Sequence, residues 1–219
     1  MKLVTLDALG TLVELDDPYG RLAEELSIPR ERARTALRAE MAYYREHHDI
    51  ASDADGLARL RDACARVLRD ALGGSPLSHG ELLGALLRAL RFRPYPEVPG
   101  VLRDLRARGA FLVVVSNWDV SLHEVLDRTG LRPLLDGVLT SAEVGEPKPR
   151  GAMFRAALEL AGATPEEALH VGDSVEHDVA GALAMGMHAV LIDRDGSARD
   201  VPAGVRVVGT LELGPYSGV

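Results

Sequence analysis

Four short segments hold the residues best suited to chemistry. They are Asp7-Ala8-Leu9-Gly10-Thr11, Ser116-Asn117-Trp118-Asp119, Lys148 between Pro147 and Pro149, and Gly172-Asp173-Ser174 followed by Asp178. If Asp7, Asp173 and Asp178 share a cleft, their charges repel, and the site must take up protons or hold a cation. One lysine cannot balance three carboxylates. A hard divalent ion can, and an oxygen-rich site with few protein ligands suits Mg²⁺. Mg²⁺ beside Lys148, Ser116 and free loop N–H groups would form a receptor for a phosphoryl group. The Asp7 carboxylate could then attack phosphorus and form an acyl phosphate.

Composition sharpens this reading. Of the 25 Lys and Arg residues only Lys2 and Lys148 are lysines, and Asn117 is the only asparagine. A chain that uses arginine almost everywhere keeps a compact ammonium at Lys148, and the two cations are not interchangeable. Each residue also has an ordinary reading: a turn-forming aspartate at Asp7, a helix cap at Asp119, a solvated loop cation at Lys148, a helix-dipole partner at Asp178. Those readings do not explain why the sole asparagine and the sole interior lysine fall on one predicted edge.

That edge belongs to a sheet. Apolar runs at 2–6, 111–115, 137–140, 168–171 and 188–192 read as strands, with a last edge strand at 205–208. Helices at 120–128, 151–161 and 177–185 alternate with them. The pattern calls for a doubly wound, Rossmann-like α/β fold with a parallel sheet. Ligands bind such sheets beyond the carboxyl ends of the strands, where all four segments fall. Between the first strand and the rest the texture is helical only. Helices start at Pro18, at Pro29, after Asp53 and near Ser78. Residues 14–91 are therefore expected to form an inserted helical domain, with 1–13 and 92–219 as the core. Arg93 to Gly100 reads as a proline-rich hinge, and Gly214–Val219 as a loose tail.

At these motifs the chain resembles the haloacid dehalogenase superfamily, in the right order and over essentially its whole length. The stretch from Gly172 to Ala182 is the most specific part. The resemblance implies Asp7 as nucleophile, Ser116 and Asn117 holding the transferred group, and Lys148 neutralising nucleophile and phosphoryl oxygens. It implies Mg²⁺ on Asp7, Asp173 and the carbonyl of Leu9, with Asp178 in support, and a helical cap that selects the substrate. One departure stands out. Members that act as phosphatases usually carry a second Asp, as general acid and base, where this chain has Leu9. Such a group is typically worth about 10²–10⁴ in rate. Tyr44, His47 and His48 are candidate replacements from the cap.

The expected function is a Mg²⁺-dependent phosphatase acting on a small phosphate ester, slow for want of the acid. One alternative is a 2-haloacid dehalogenase, which also lacks the second Asp, uses no metal and releases a halide that needs no proton. Another is a non-catalytic binding protein on the same fold. Phosphonoacetaldehyde hydrolysis needs a cap lysine, and residues 14–91 contain none. A net charge of −8 argues against general binding to nucleic acid or anionic membrane. Cys64 alone excludes an internal disulfide and a cysteine zinc finger. No stretch approaches the roughly 18 apolar residues of a membrane span. Met1–Leu6 is too short for a signal peptide. A cytoplasmic monomer or homodimer is expected.

Overall fold

The protein is described from a computed structural model over residues 1–213; the tail expected to be loose, 214–219, lies outside the described residues. Strand β1 (Leu3–Leu6) and a short β2 (Val13–Leu15) open the chain. Helices α1 (Pro18–Leu26), α2 (Arg30–His47), α3 (Ala54–Ala71) and α4 (His79–Ala89) follow. After β3 (Phe92–Pro94) come α5 (Val98–Ala107), β4 (Phe111–Ser116), α6 (Leu122–Arg128), β5 (Gly137–Thr140) and α7 (Ser141–Val144). Helix α8 (Ala152–Ala161), β6 (Ala168–Gly172), α9 (Ala180–Ala184), β7 (His188–Ile192) and β8 (Arg206–Val208) complete it.

Six strands form one parallel sheet in the order β5-β4-β1-β6-β7-β8. Both faces of the central strands are covered, so these strands are largely apolar rather than alternating. In β4, Leu112 and Val114 pack on one face with Leu102 and Leu126, while Val113 and Val115 pack on the other with Met153 and Phe154. β1 lies between β4 and β6, and Leu6 pairs with Val114 on one side and Val171 on the other. That register brings Asp7, Ser116 and Asp173 to one edge. The chain passes first to the β4 side of β1 and later to its β6 side, which opens a crevice at the end of β1.

The four helices between β2 and β3 have a hydrophobic cluster of their own, built from Leu22, Leu37, Leu60, Leu68, Leu82 and Leu86 among others. Their starts are chemically defined. Asp17 and Asp53 accept hydrogen bonds from Gly20 and Gly56, and Ser78 forms a capping box with Glu81. β2 and β3 pair antiparallel, so the boundary drawn at 13/14 runs through the first strand of this two-stranded stem.

Two local expectations are corrected. The proline-rich stretch 93–100 is a strand end followed by the first turn of α5, where Pro99 sits; a proline there gives up only an N–H that has no helical partner. The helix expected from His177 begins as a π turn over Val175–Val179.

Candidate active site

The sheet edge gathers a buried ionic cluster. Ser116 Oγ donates to Asp7 Oδ1 at 2.9 Å, and Lys148 Nζ donates to the same oxygen at 2.7 Å. Lys148 Nζ also donates to Asp178 Oδ1 at 2.5 Å. All four side chains are buried, Lys148 to 3% exposure, so it is no solvated loop cation. Both bonds to Asp7 fall on Oδ1, which leaves Oδ2 for an incoming electrophile or cation. Asp173 is exposed at the mouth, and one carboxylate oxygen each from Asp7, Asp173 and Asp178 lie within 4.8 Å of one another.

Asp178 is nearly saturated. Its Oδ1 also accepts from His170 Nε2 at 3.0 Å, and its Oδ2 accepts from the Ser174 N–H at 2.9 Å. The His170 tautomer follows. A carboxylate only accepts, so the proton is on Nε2, and Nδ1 accepts from Thr5 Oγ1 at 2.8 Å. Burial favours this neutral form over the pull of Asp178. His170 is 1% exposed, and Phe154 packs edge-on against it. A buried chain thus runs Thr5, His170, Asp178, Lys148, Asp7.

Charge in this cluster is not balanced. Burial and the neighbouring Asp178 push the Asp7 pKa up, against the pull of Lys148. Burial would raise Asp178 too, but Lys148 and the His170 hydrogen bond outweigh it and hold that carboxyl well below its usual range. Burial would lower Lys148, yet Asp178 and Asp7 keep it charged and above its usual value. Asp173 has no cation of its own. Desolvation and the charges of Asp7 and Asp178 push its pKa up to about 7. Lys148 is committed to the inner pair, so a carboxylate remains in excess at the mouth. This donor set fits a divalent cation.

Two glycines make the approach possible. Gly10 has φ +81°, and a Cβ there would run into the Asp173 carboxylate. A Cβ on Gly172 would strike Asp178. Asn117 does not turn its side chain to the carboxylates. Its Nδ2 donates to the Lys148 carbonyl at 3.0 Å and its Oδ1 accepts from the Lys148 N–H at 2.7 Å, so it clasps the peptide that carries the lysine. That peptide, Lys148–Pro149, is cis.

The sequence profile of haloacid dehalogenase-like hydrolases matches residues 1–186. The chain belongs to this family. As a haloacid dehalogenase-like hydrolase it is 32% identical over 208 residues to "haloacid dehalogenase-like hydrolase domain-containing protein 3" of Mus musculus, covering 88% of this chain and 82% of that one. It is 42% identical over 134 residues to a phosphoserine phosphatase of Thermus thermophilus, covering 59% of this chain and 54% of that one. Its match to the Bos taurus protein that shares the name of the Mus musculus one, 47% identical over 91 residues, spans 36% of that protein's length. A solved phosphatase of the family from Thermococcus onnurineus superposes with a TM-score of 0.67 at 28% identity, covering 97% of this chain and 96% of that one. Solved dehalogenases at 21–23% identity share the fold.

Within this hydrolase Leu9 is 43% exposed, two residues past Asp7. The cap residues considered as its replacement are engaged elsewhere. His48 bonds Ser141 Oγ through Nε2 at 3.1 Å and the Arg45 carbonyl through Nδ1 at 3.1 Å. His47 is stacked on Tyr43 and bonded to its carbonyl. The Tyr44 hydroxyl is buried against Asp119, and desolvation raises its pKa well above the usual value. Of these contacts, His48 to Ser141 and Tyr44 against Asp119 cross from the helical block to the core, as does the bond from the Val120 N–H to the Ala51 carbonyl.

Two further residues escape the sequence reading. His170 is one, visible only as a polar residue inside an apolar strand. Arg194 is the other. It lies 3.3 Å over the Tyr95 ring and donates to the carbonyls of Gly10 and Thr11, both at 2.8 Å, and to Glu97 at 2.9 Å. It braces the loop that follows Asp7, and nothing in the sequence distinguishes it from other arginines.

Proposed function

We propose that this hydrolase is a Mg²⁺-dependent phosphatase of small phosphate esters, working through an aspartyl phosphate on Asp7. The observation that carries the reading is the charge count: three carboxylates with oxygens within 4.8 Å of one another, and one lysine bonded to two of them. The ester relatives, among them the Thermus phosphoserine phosphatase and glyceraldehyde 3-phosphate phosphatases of methanogens, support the substrate class. Asp7, Asp173 and the Leu9 carbonyl would hold the ion, with Asp178 behind them. Once bound, Mg²⁺ supplies positive charge to the phosphoryl oxygens.

The chain's own residues do the rest. Ser116 and Lys148 fix Oδ1 of Asp7, so that Oδ2 faces the phosphorus. Lys148 stays protonated and offsets charge that builds on the transferred group. His170 and Ser174 hold Asp178 in place as the counter-ion of Lys148. Asn117 fixes the backbone from which Lys148 reaches in. Residues 14–91 act as the cap over this edge and supply the walls that choose the substrate. The reading places the enzyme in the cytoplasm.

A dehalogenase reading is favoured by Leu9, since carbon–halogen cleavage needs no acid. Asp173 speaks against it, because an unpaired carboxylate repels a carboxylate substrate. A panel of phosphate esters and 2-haloacids, assayed with and without Mg²⁺, separates the two. Mg²⁺-dependent release of phosphate supports the proposal. Metal-independent release of halide with no phosphatase activity would overturn it.

A further inference from the structure

We propose that this site is selective for phosphoryl donors whose leaving group departs as a stable anion, namely acyl, enol and aryl phosphates, over alkyl esters. The inference rests on the phosphatase reading and names the substrate class within it. An alkoxide is a poor leaving group, and its departure calls for a proton delivered in the transition state. The side chains set against Asp7 cannot readily deliver one: Asp173, beside it at the mouth, would hold the ion as a carboxylate in this reading and so has no proton to give. Ser116 is already donating to Asp7. Lys148 is buried, and it donates to Asp7 and Asp178. Asp178 is an ionised acceptor, bonded through both oxygens. Leu9, partly exposed beside the nucleophile, has nothing to give. From the helical block, His48 is bonded through both ring nitrogens, His47 is stacked on Tyr43 and tied to its own helix, and the Tyr44 phenol is buried and resists ionisation.

The chemistry then runs without an acid. Oδ2 of Asp7 bonds to phosphorus, the bond from phosphorus to the leaving oxygen breaks, and that oxygen departs with the electron pair and no proton. In the second step the oxygen of water bonds to phosphorus and the bond to Asp7 breaks. The carboxylate is restored, and both water protons leave on dihydrogen phosphate. Only the first step senses the leaving group, so kcat/KM is the quantity to read, whichever step limits kcat.

The test is a series of ring-substituted phenyl phosphates of graded phenol acidity, with acetyl phosphate and simple alkyl phosphates, in saturating Mg²⁺. Each is run on the parent, on Leu9→Asp and on Asp7→Asn. The expected result is a steep fall of kcat/KM as the leaving group becomes more basic. Alkyl phosphates should lie below activated ones by at least the factor of about 10²–10⁴ that a positioned acid would supply. In Leu9→Asp the dependence should flatten, chiefly through a gain on alkyl esters. If Leu9→Asp does not fold, the slope of the parent alone decides. Asp7-dependent turnover with a flat profile would overturn this inference and leave the phosphatase reading standing. Turnover that survives Asp7→Asn, or no release of phosphate from any donor, would overturn the reading beneath it.

Discussion

Replacing Lys148 by methionine keeps most of the side-chain volume and removes its charge. In the parent the ammonium lies 2.7 Å from Asp7 Oδ1 and 2.5 Å from Asp178 Oδ1, with all three groups buried. Without it, two carboxylates face each other in the interior. Breaking a buried pair by removing one partner costs about 3–5 kcal/mol. For a chain of this size that corresponds to a fall in Tm of about 6–20 °C. The cost depends on pH. Asp7 already has a raised pKa, and losing Lys148 raises it further. An acid whose folded pKa exceeds its unfolded value of 3.8 binds more protons in the folded state. Stability then falls as pH rises through that window. The deficit of Lys148→Met should be small near pH 4 and grow toward neutrality. Adding Asp7→Asn removes the repulsion and should recover part of the loss. Thermal melts of parent, single and double variants without metal, across pH, measure this. A single variant as stable as the parent at neutral pH, or a double variant with no recovery, would refute the electrostatic account of the cluster.

Other expectations are equally direct. Calorimetry should show Mg²⁺ binding by the parent and none by Asp173→Ala. Because Asp173 must give up a proton near pH 7 to bind, affinity should rise with pH through that range, by about tenfold per unit below it. His170→Phe strips Asp178 of one donor and leaves Thr5 only the Leu169 carbonyl at 3.4 Å; kcat should fall, while His170→Gln, which keeps a donor, should recover part of it. Equal kcat in the two would show that the Thr5–His170–Asp178 chain does not position Lys148. Arg194→Met unties the Gly10 and Thr11 carbonyls and Glu97, and urea unfolding should show a loss of about 1.5–3 kcal/mol. A loss near zero would mean that Arg194 does not brace the loop.

The core of the fold was legible because β1, β4 and β6 are mainly apolar runs that lead directly to a chemically distinctive residue. Asp7, Ser116 and Asp173 are named by position alone once the strands are drawn, and Lys148 by its rarity. Other features left no such mark. β2 and β3 are three residues each, too short for a periodic pattern. Pro99 looked like a breaker because a proline that starts a helix and one that ends it are the same letter. His170 reads as an ordinary core histidine until its two neighbours in space, Thr5 and Asp178, are known; neither is near enough in sequence to suggest the pairing. Asn117 was expected to face the substrate, whereas its amide is bonded to the main chain of Lys148 across 31 positions. Such a contact is set by the tertiary fold and has no local signature.

The central claim is that Asp7 becomes phosphorylated. The direct measurement is the intact mass of the protein after brief exposure to acetyl phosphate or an aryl phosphate in Mg²⁺ and an acid quench, followed by peptide mapping. The account predicts one added phosphoryl group on the peptide that contains Asp7, absent without Mg²⁺ and absent in Asp7→Asn. Steady Mg²⁺-dependent turnover with no adduct on Asp7 at any quench time, or turnover undiminished in Asp7→Asn, would contradict it.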